Sequence, residues 1–373
     1  MDRALKQFIH RDLDRKMVFL VGPRQVGKTW LAKNIGESFG KTVYLNYDRR
    51  EDRAIIEEEA WLESTELLIL DELHKMNGWK NFLKGVYDTK SPHTKILVTG
   101  SARLDAFRQT GDSLSGRFFT HRLLPLSPAE LRGQPLGAEL DRFIKRGGFP
   151  EPFLAESDTD SDRWRKQYMD GLIQNDILDF EKITDFKALQ LLLELLRERV
   201  GSTISTSSLA RDIGVAPNTI KKYLQILEAL YVIFRVTPFS KNIARSLLKE
   251  PKIYFFDTGL VKGSEGSKFE NLVAVCLIKS AYYRVDEFGE DLQLHYLRTK
   301  EGKEVDFCMV KNNEPQYLVE AKDTDHHLSP SLIYFSKNHD LKGVQVVKNL
   351  KRERQEGQIE VRRGLDFLQE LQE

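Results

Sequence analysis

The first third of the chain alternates short apolar runs with longer stretches in which apolar residues return every three or four positions. The short runs are Met17–Val21, Thr42–Leu45, Leu67–Leu70 and Lys95–Thr99. Apolar on both faces, they predict buried parallel strands. Thr29–Phe39 and Arg49–Trp61 lie between them and predict helices. This is the layout of a doubly wound α/β domain, whose ligand sits at the carboxyl ends of the strands. The pattern breaks at Leu123–Gln134, where two prolines and a glycine intervene.

Residues 136–185 then read as helices interrupted at Arg146–Pro152, a helical lid or connector. Residues 186–258 change to three short helices followed by strands, and 259–373 form another mixed α/β unit. The expected division is therefore a core at 1–135, the connector, a helix-rich module and a C-terminal unit.

Composition narrows the class. A chain of 373 residues with 30% charged and 40% hydrophobic residues predicts soluble globular domains. The formal net charge of +1 means that any basic surface must be local. Cys276 and Cys308 each lie in an apolar stretch and read as core residues of a reduced protein, with no zinc-like spacing. No apolar run is long enough to cross a bilayer, and the polar N-terminus lacks the apolar core of a signal peptide. The expectation is a cytoplasmic protein without a membrane partner.

The run Gly22, Pro23, Arg24, Gln25, Val26, Gly27, Lys28, Thr29 has the spacing of a phosphate-binding loop between a strand and a helix that opens with Trp30. Backbone N–H groups and a helix N-terminus aimed at one point favour negative charge. ATP is the expected ligand, with Lys28 on the β and γ phosphates and the Thr29 hydroxyl on Mg²⁺. Leu67–Leu70 leads into Asp71 and Glu72, two carboxylates at a strand's carboxyl end. Asp71 is expected to hold Mg²⁺ and Glu72 to polarise the attacking water. Ser101, after the strand Lys95–Thr99, is the candidate for orienting that water. Arg117, after Gly116, is the candidate for neutralising the transferring phosphoryl group, in cis or from a neighbouring subunit.

These motifs, with Leu124-Pro-Leu-Ser-Pro128, resemble a large bacterial and archaeal family of AAA+-type ATPases that carry an uncharacterised C-terminal half. The resemblance implies an AAA+ core and self-association through shared nucleotide sites, a hexameric ring being one arrangement.

Ser207–Leu230 reads as helix, turn, helix. Ser207 or Ser208 is the expected cap, Gly214 the turn and Pro217 the second helix start. Ile220, Leu224, Leu227 and Leu230 make an apolar stripe. Asn218, Lys221, Lys222 and Gln225 lie opposite, suited to phosphates and base edges. A strand at Tyr231–Val236 and a basic loop (Lys241, Arg245, Lys249, Lys252) complete a resemblance to a winged helix. Two departures are Ala216, at a position where a capping serine or asparagine is usual, and the acidic Glu228. DNA contact and protein docking both fit this module.

Near the C-terminus, Ser267–Tyr283 reads as a helix carrying Glu270, followed by strands at Leu294–Arg298, Glu304–Val310 and Gln316–Lys322. Asp306, then Glu320 and Lys322, resembles the restriction-endonuclease-like signature. On a strand Glu320 and Lys322 share one face. The resemblance implies a divalent metal held by Asp306, Glu320 and Glu270, with Lys322 assisting an attacking water. The expected fold class is thus α/β: a P-loop NTPase core of AAA+ type, helical lid, winged helix and restriction-endonuclease-like domain. Three functions follow as expectations: a DNA-acting ATPase, an ATP-switched scaffold docking a protein, or an ATP-dependent nuclease.

Overall fold

The computed structural model describes residues 3–100, 114–172, 185–240, 250–324 and 327–372. Two compact units are evident. One is Met1–Leu124 with Ala229–Tyr231, and the other is Pro125–Glu228 with Val232–Glu373.

In the first unit β1 (Met17–Val21), β2 (Thr42–Asn46), β3 (Leu67–Asp71) and β4 (Lys95–Thr99) form where the apolar runs predict them. A further strand, β5 (Phe118–Arg122), pairs with β1 over its whole length. Its polar His121 and Arg122 hide it from a reading of apolar runs. The sheet order is β2-β3-β4-β1-β5, and every pairing is parallel. Side chains from β1, β3 and β4, with Leu83 and Trp79 of the helix Trp79–Thr89, make one continuous core. The helix expected at Arg49–Trp61 stops at Glu57. Glu59 takes a left-handed φ of 52°, and the Ala60 N–H turns back to the Ile55 carbonyl.

In the second unit the connector breaks as expected, into helices Leu140–Arg146, Pro150–Leu154 and Asp158–Gly171. Gly147, at φ 70°, is required there because a Cβ would fall 1.7 Å from Asp257 Oδ1. Asp257 is itself buried and paired with Arg165 at 3.1 Å.

Helices Phe186–Glu198, Thr206–Ile213 and Pro217–Ala229 follow. Gly214 (φ 81°) ends the second and Pro217 opens the third. The cap of the second helix is Ser205, not Ser207 or Ser208; its hydroxyl accepts the Ser208 N–H. The helix starts early because the Ile204 N–H is anchored to the Pro251 carbonyl at 2.8 Å.

The strands β6 (Ile233–Pro238) and β7 (Lys252–Phe255) pair antiparallel, like a wing, but they continue a larger sheet. With β8 (Leu292–Arg298), β9 (Glu304–Lys311), β10 (Glu314–Thr324), β11 (Lys342–Asn349), β12 (Arg354–Glu356) and β13 (Ile359–Arg363), the order is β12-β13-β11-β10-β9-β8-β6-β7. The long helix Glu265–Phe288 is capped by Ser264 and ended by Gly289. Cys276 and Cys308 are buried free thiols, as core residues should be.

Candidate nucleotide site

β1 delivers the chain into the loop Gly22–Thr29 at the carboxyl edge of the first sheet. Positive φ values at Gly22 (145°), Gln25 (62°) and Gly27 (98°) let successive N–H groups turn inward. Gly22 is required by contact as well as by φ, since a Cβ would lie 2.1 Å from the Leu123 carbonyl oxygen. Gly27 caps the helix Lys28–Gly36, so Lys28 and Thr29 occupy its first turn. The Lys28 ammonium is buried and donates to the carbonyls of Gly22 (3.0 Å) and Pro23 (2.7 Å). Arg24, Gln25 and Trp30 are exposed at the rim, while Val26 is buried beneath the loop.

Asp71 is the hub of the site. Its carboxylate accepts from the Thr29 hydroxyl (2.8 Å), the Tyr44 phenol (2.7 Å) and the Thr99 hydroxyl. These three donors come from the phosphate loop's helix, β2 and β4, which parallel register places side by side: Tyr44 pairs with Ile69 and Asp71 with Thr99. Burial, then the hydrogen bond to Asp71, raises the Tyr44 phenol above its usual value, so it stays a proton donor. A hydroxyl and a carboxylate 2.8 Å apart are hard oxygen ligands of the kind Mg²⁺ takes, so the residues fit that ion.

Glu72 leaves the strand through a left-handed backbone (φ 56°), a conformation costing a non-glycine residue about 1 kcal/mol or more. Its N–H donates to the Thr99 carbonyl at 3.0 Å, which pins the turn to β4. Its carboxylate lies 3.5 Å from Lys75 and 3.7 Å from His74. Burial raises the Glu72 carboxyl, and Lys75 opposes the shift. Lys75 also reaches Asp48 at 2.5 Å.

Two expectations need comment. Ser101 lies outside the described residues. Arg117 is described, and its position excludes action on this chain's own phosphate. It precedes Phe118, which pairs with Met17 at the amino end of β1, whereas the phosphate loop leaves β1 after Val21. At about 3.3 Å per residue, about 13 Å of strand separates the two ends. Arg117 instead forms a bidentate pair with Asp88, at 2.8 and 3.0 Å. Sequence reasoning missed Tyr44 and Thr99. A lone tyrosine in an apolar run and a threonine at a strand end were the available signals.

In the second unit the faces of the helix Pro217–Ala229 divide as expected. Ile220, Leu224 and Leu227 are buried, whereas Asn218, Lys221, Lys222 and Gln225 are exposed. Glu228 is ion-paired with Arg235 at 2.5 Å. Lys241, Arg245 and Lys249 lie outside the described residues. Lys252 does not belong to a basic loop: it is 1% exposed, because it sits in β7 and points into the acidic cluster expected further on.

That cluster does assemble. Asp306 on β9 and Glu320 on β10 are linked by the Asp306 N–H to Glu320 Oε2 at 3.3 Å. Glu270 joins them from the long helix, held by the Tyr254 phenol at 2.7 Å, and Lys322 pairs with Glu320 at 2.8 Å. Burial, then Asp306, pushes both Glu270 and Glu320 up to about 7. Lys252 Nζ lies 2.8 Å from Glu304, 3.3 Å from Asp306 and 3.6 Å from Glu270. Lys252, Tyr254 and Glu304 are the members of this cluster to which sequence reasoning gave no role in it.

Comparison with known proteins bears on the first unit most directly. Residues 14–132 match the family model described as an AAA domain. Over that span the first unit is similar to an AAA domain. Residues 137–266 and 265–363 match two further models, each described as a domain of unknown function. Among curated relatives, an uncharacterized protein of Mycobacterium tuberculosis is 29% identical over 258 residues, covering 69% of this chain and 57% of its own length. An uncharacterized protein of Methanocaldococcus jannaschii is 26% identical over 363 residues, covering 85% of this chain and 79% of its own. This chain thus spans little more than half the length of the mycobacterial relative. A solved Walker-type ATPase of Pyrococcus abyssi aligns at 14% identity and a TM-score of 0.45, over 69% of this chain and 93% of that one. Among the described residues, no helix is long and apolar enough to cross a membrane.

Proposed function

We propose that the AAA domain binds ATP with Mg²⁺ and hydrolyses it, Lys28 and Thr29 being held beyond β1 and Asp71 and Glu72 at the end of β3. The observation that carries this reading is the meeting of Thr29, Asp71 and the Lys28 loop at one edge of a parallel sheet, with Glu72 one residue beyond. Loop N–H groups and the Lys28 ammonium, released from its two carbonyls, bind the β and γ phosphates. Thr29 and Asp71 hold Mg²⁺, which supplies charge neutralisation on the phosphate oxygens. Glu72 accepts the proton of the attacking water. Burial raises its carboxyl, the direction that makes a carboxylate a stronger base.

Arg117, far from the phosphate loop of its own chain, would neutralise charge only at a neighbouring subunit's site. That placement supports self-association through shared sites, with a hexameric ring as one closed arrangement. We read the protein as cytoplasmic.

A second reading is action on DNA through the helix Pro217–Ala229. The exposure of Asn218, Lys221, Lys222 and Gln225 on one face supports it. Steady-state ATP hydrolysis, with and without single-stranded, duplex and forked DNA at low and moderate salt, tests both. Hydrolysis abolished by Lys28→Ala is expected, with stimulation by one DNA form. No hydrolysis under any condition would overturn the first reading. Robust hydrolysis indifferent to every DNA would replace the second with docking of a protein partner.

A further inference from the structure

The acidic cluster of the second unit has a cation built into it. An ammonium carries three donors and no acceptor. Lys252 Nζ faces three carboxylates: Glu304 Oε1 at 2.8 Å, Asp306 Oδ1 at 3.3 Å and Glu270 Oε1 at 3.6 Å. The side chain is no free arm. Its residue is paired with Val236 across the β6–β7 ladder and bridged to Thr203, and its ammonium lies 5.6 Å from the Tyr296 ring. Tyr254, two positions on and so on the same face, donates to the very Glu270 oxygen that Lys252 faces.

The remaining oxygens of Asp306 and Glu320 are committed as well. Asp306 Oδ2 accepts the Ala321 N–H at 3.0 Å. Glu320 takes Lys322 on one oxygen and the Asp306 N–H on the other. Gly201 closes over Glu270: a Cβ there would come within 2.6 and 2.7 Å of the two carboxylate oxygens.

Mg²⁺ demands near-octahedral oxygen at 2.0–2.1 Å and usually keeps several waters. For Glu270 and Asp306 to close on such an ion, the ammonium now between them must leave. With its backbone fixed in β7 and its residue 1% exposed, Lys252 can leave only by swinging its side chain out through the packing around it. The residues therefore do not fit the divalent metal that the restriction-endonuclease-like resemblance implies.

We infer that Lys252 is the resident cation of this cluster, standing where that resemblance implies a metal, so that the second unit holds no divalent ion there and does not cut phosphodiesters. The cluster's work is to clamp β7, the long helix and β9 together through one ammonium.

Manganese titration followed by electron paramagnetic resonance, on the nucleotide-free full chain, tests this. Wild type and Asp306→Asn should bind the same number of Mn²⁺ ions, and neither should nick supercoiled DNA with Mn²⁺ or Mg²⁺. Lys252→Met should gain a Mn²⁺ site, at least tenfold tighter than anything at the cluster in wild type, that disappears again in Lys252→Met/Asp306→Asn. A wild-type Mn²⁺ site or nicking activity lost on Asp306→Asn overturns the inference. So does a folded Lys252→Met chain that gains no site. Should Lys252→Met fail to fold, the comparison of wild type with Asp306→Asn decides alone, and Lys252→Arg is expected to match wild type in it.

Discussion

Each unit gathers carboxylates at strand ends, and the two gatherings differ in where the positive charge lies. Beside the phosphate loop, Asp71 is surrounded by hydroxyls from Thr29, Tyr44 and Thr99, while Lys28 is turned onto backbone carbonyls. In the second unit a lysine ammonium lies among the acids themselves. Neutral donors orient a carboxylate without cancelling its charge, so Asp71 stays available to an incoming cation. A buried ammonium offsets part of that charge and occupies the place a second cation would take. The carboxylates alone do not distinguish a site from a clamp; the partner that balances them does.

Removing the proposed base should break the comparison most severely on the nucleotide side. Glu72→Gln is expected to lower ATP turnover by about 10²–10⁴-fold, the usual contribution of a general base, while ATP still binds. Turnover near wild type in steady-state assays would remove Glu72 from that role. On the clamp side, Lys252→Met strands buried carboxylates, and denaturant unfolding should register a loss of about 3–5 kcal/mol. A loss under about 1 kcal/mol would mean that the ammonium holds nothing together. Lys28→Ala should weaken ATP binding by about 10–100-fold, the worth of charge-assisted hydrogen bonds to phosphate, as read by titration calorimetry.

Titration of the clamp sharpens the contrast. Glu270 and Glu320 are pushed up to about 7, so the folded chain holds protons that the unfolded chain releases near the ordinary carboxylate range. Their stabilising contribution is complete below that range and is lost as pH rises through about 7. Stability should therefore fall between pH 5 and 8, and Glu320→Gln should flatten the profile. A profile unchanged by that substitution would sink the assignment. The smallest effect is expected from Tyr44→Phe, which removes one of three donors to Asp71. Apparent Mg²⁺ affinity should drop by about three- to tenfold with the nucleotide affinity measured without metal unchanged. Equal losses with and without Mg²⁺ would assign Tyr44 to packing instead.

Much of the first unit was legible because each of its signals is local. The strands β1, β3 and β4 are runs apolar on both faces except at their ends, and the phosphate loop needs its glycines at fixed spacing. Even so, β5 escaped, since His121, though buried, and Arg122 interrupt its apolar run. Whether Arg117 lies near its own chain's phosphate loop was illegible for the same reason. Its distance from the phosphates depends on the register of a strand that had not been recognised. Lys252 shows the other kind of failure. Among Lys241, Arg245 and Lys249 it reads as one more solvated base, and only its pairing in β7 turns it inward.

From the sequence alone came the order of elements, the phosphate loop with its paired acids, the helix-turn-helix faces and the carboxylates of the C-terminal strands. All depend on spacing within a few residues, where period and propensity act directly. Tertiary structure decided which groups meet: Tyr44 and Thr99 on Asp71, Arg117 at the far edge of its sheet, and Lys252 among acids 18 to 54 positions away. Such meetings follow from sheet order and register, which bring together residues that no local pattern connects.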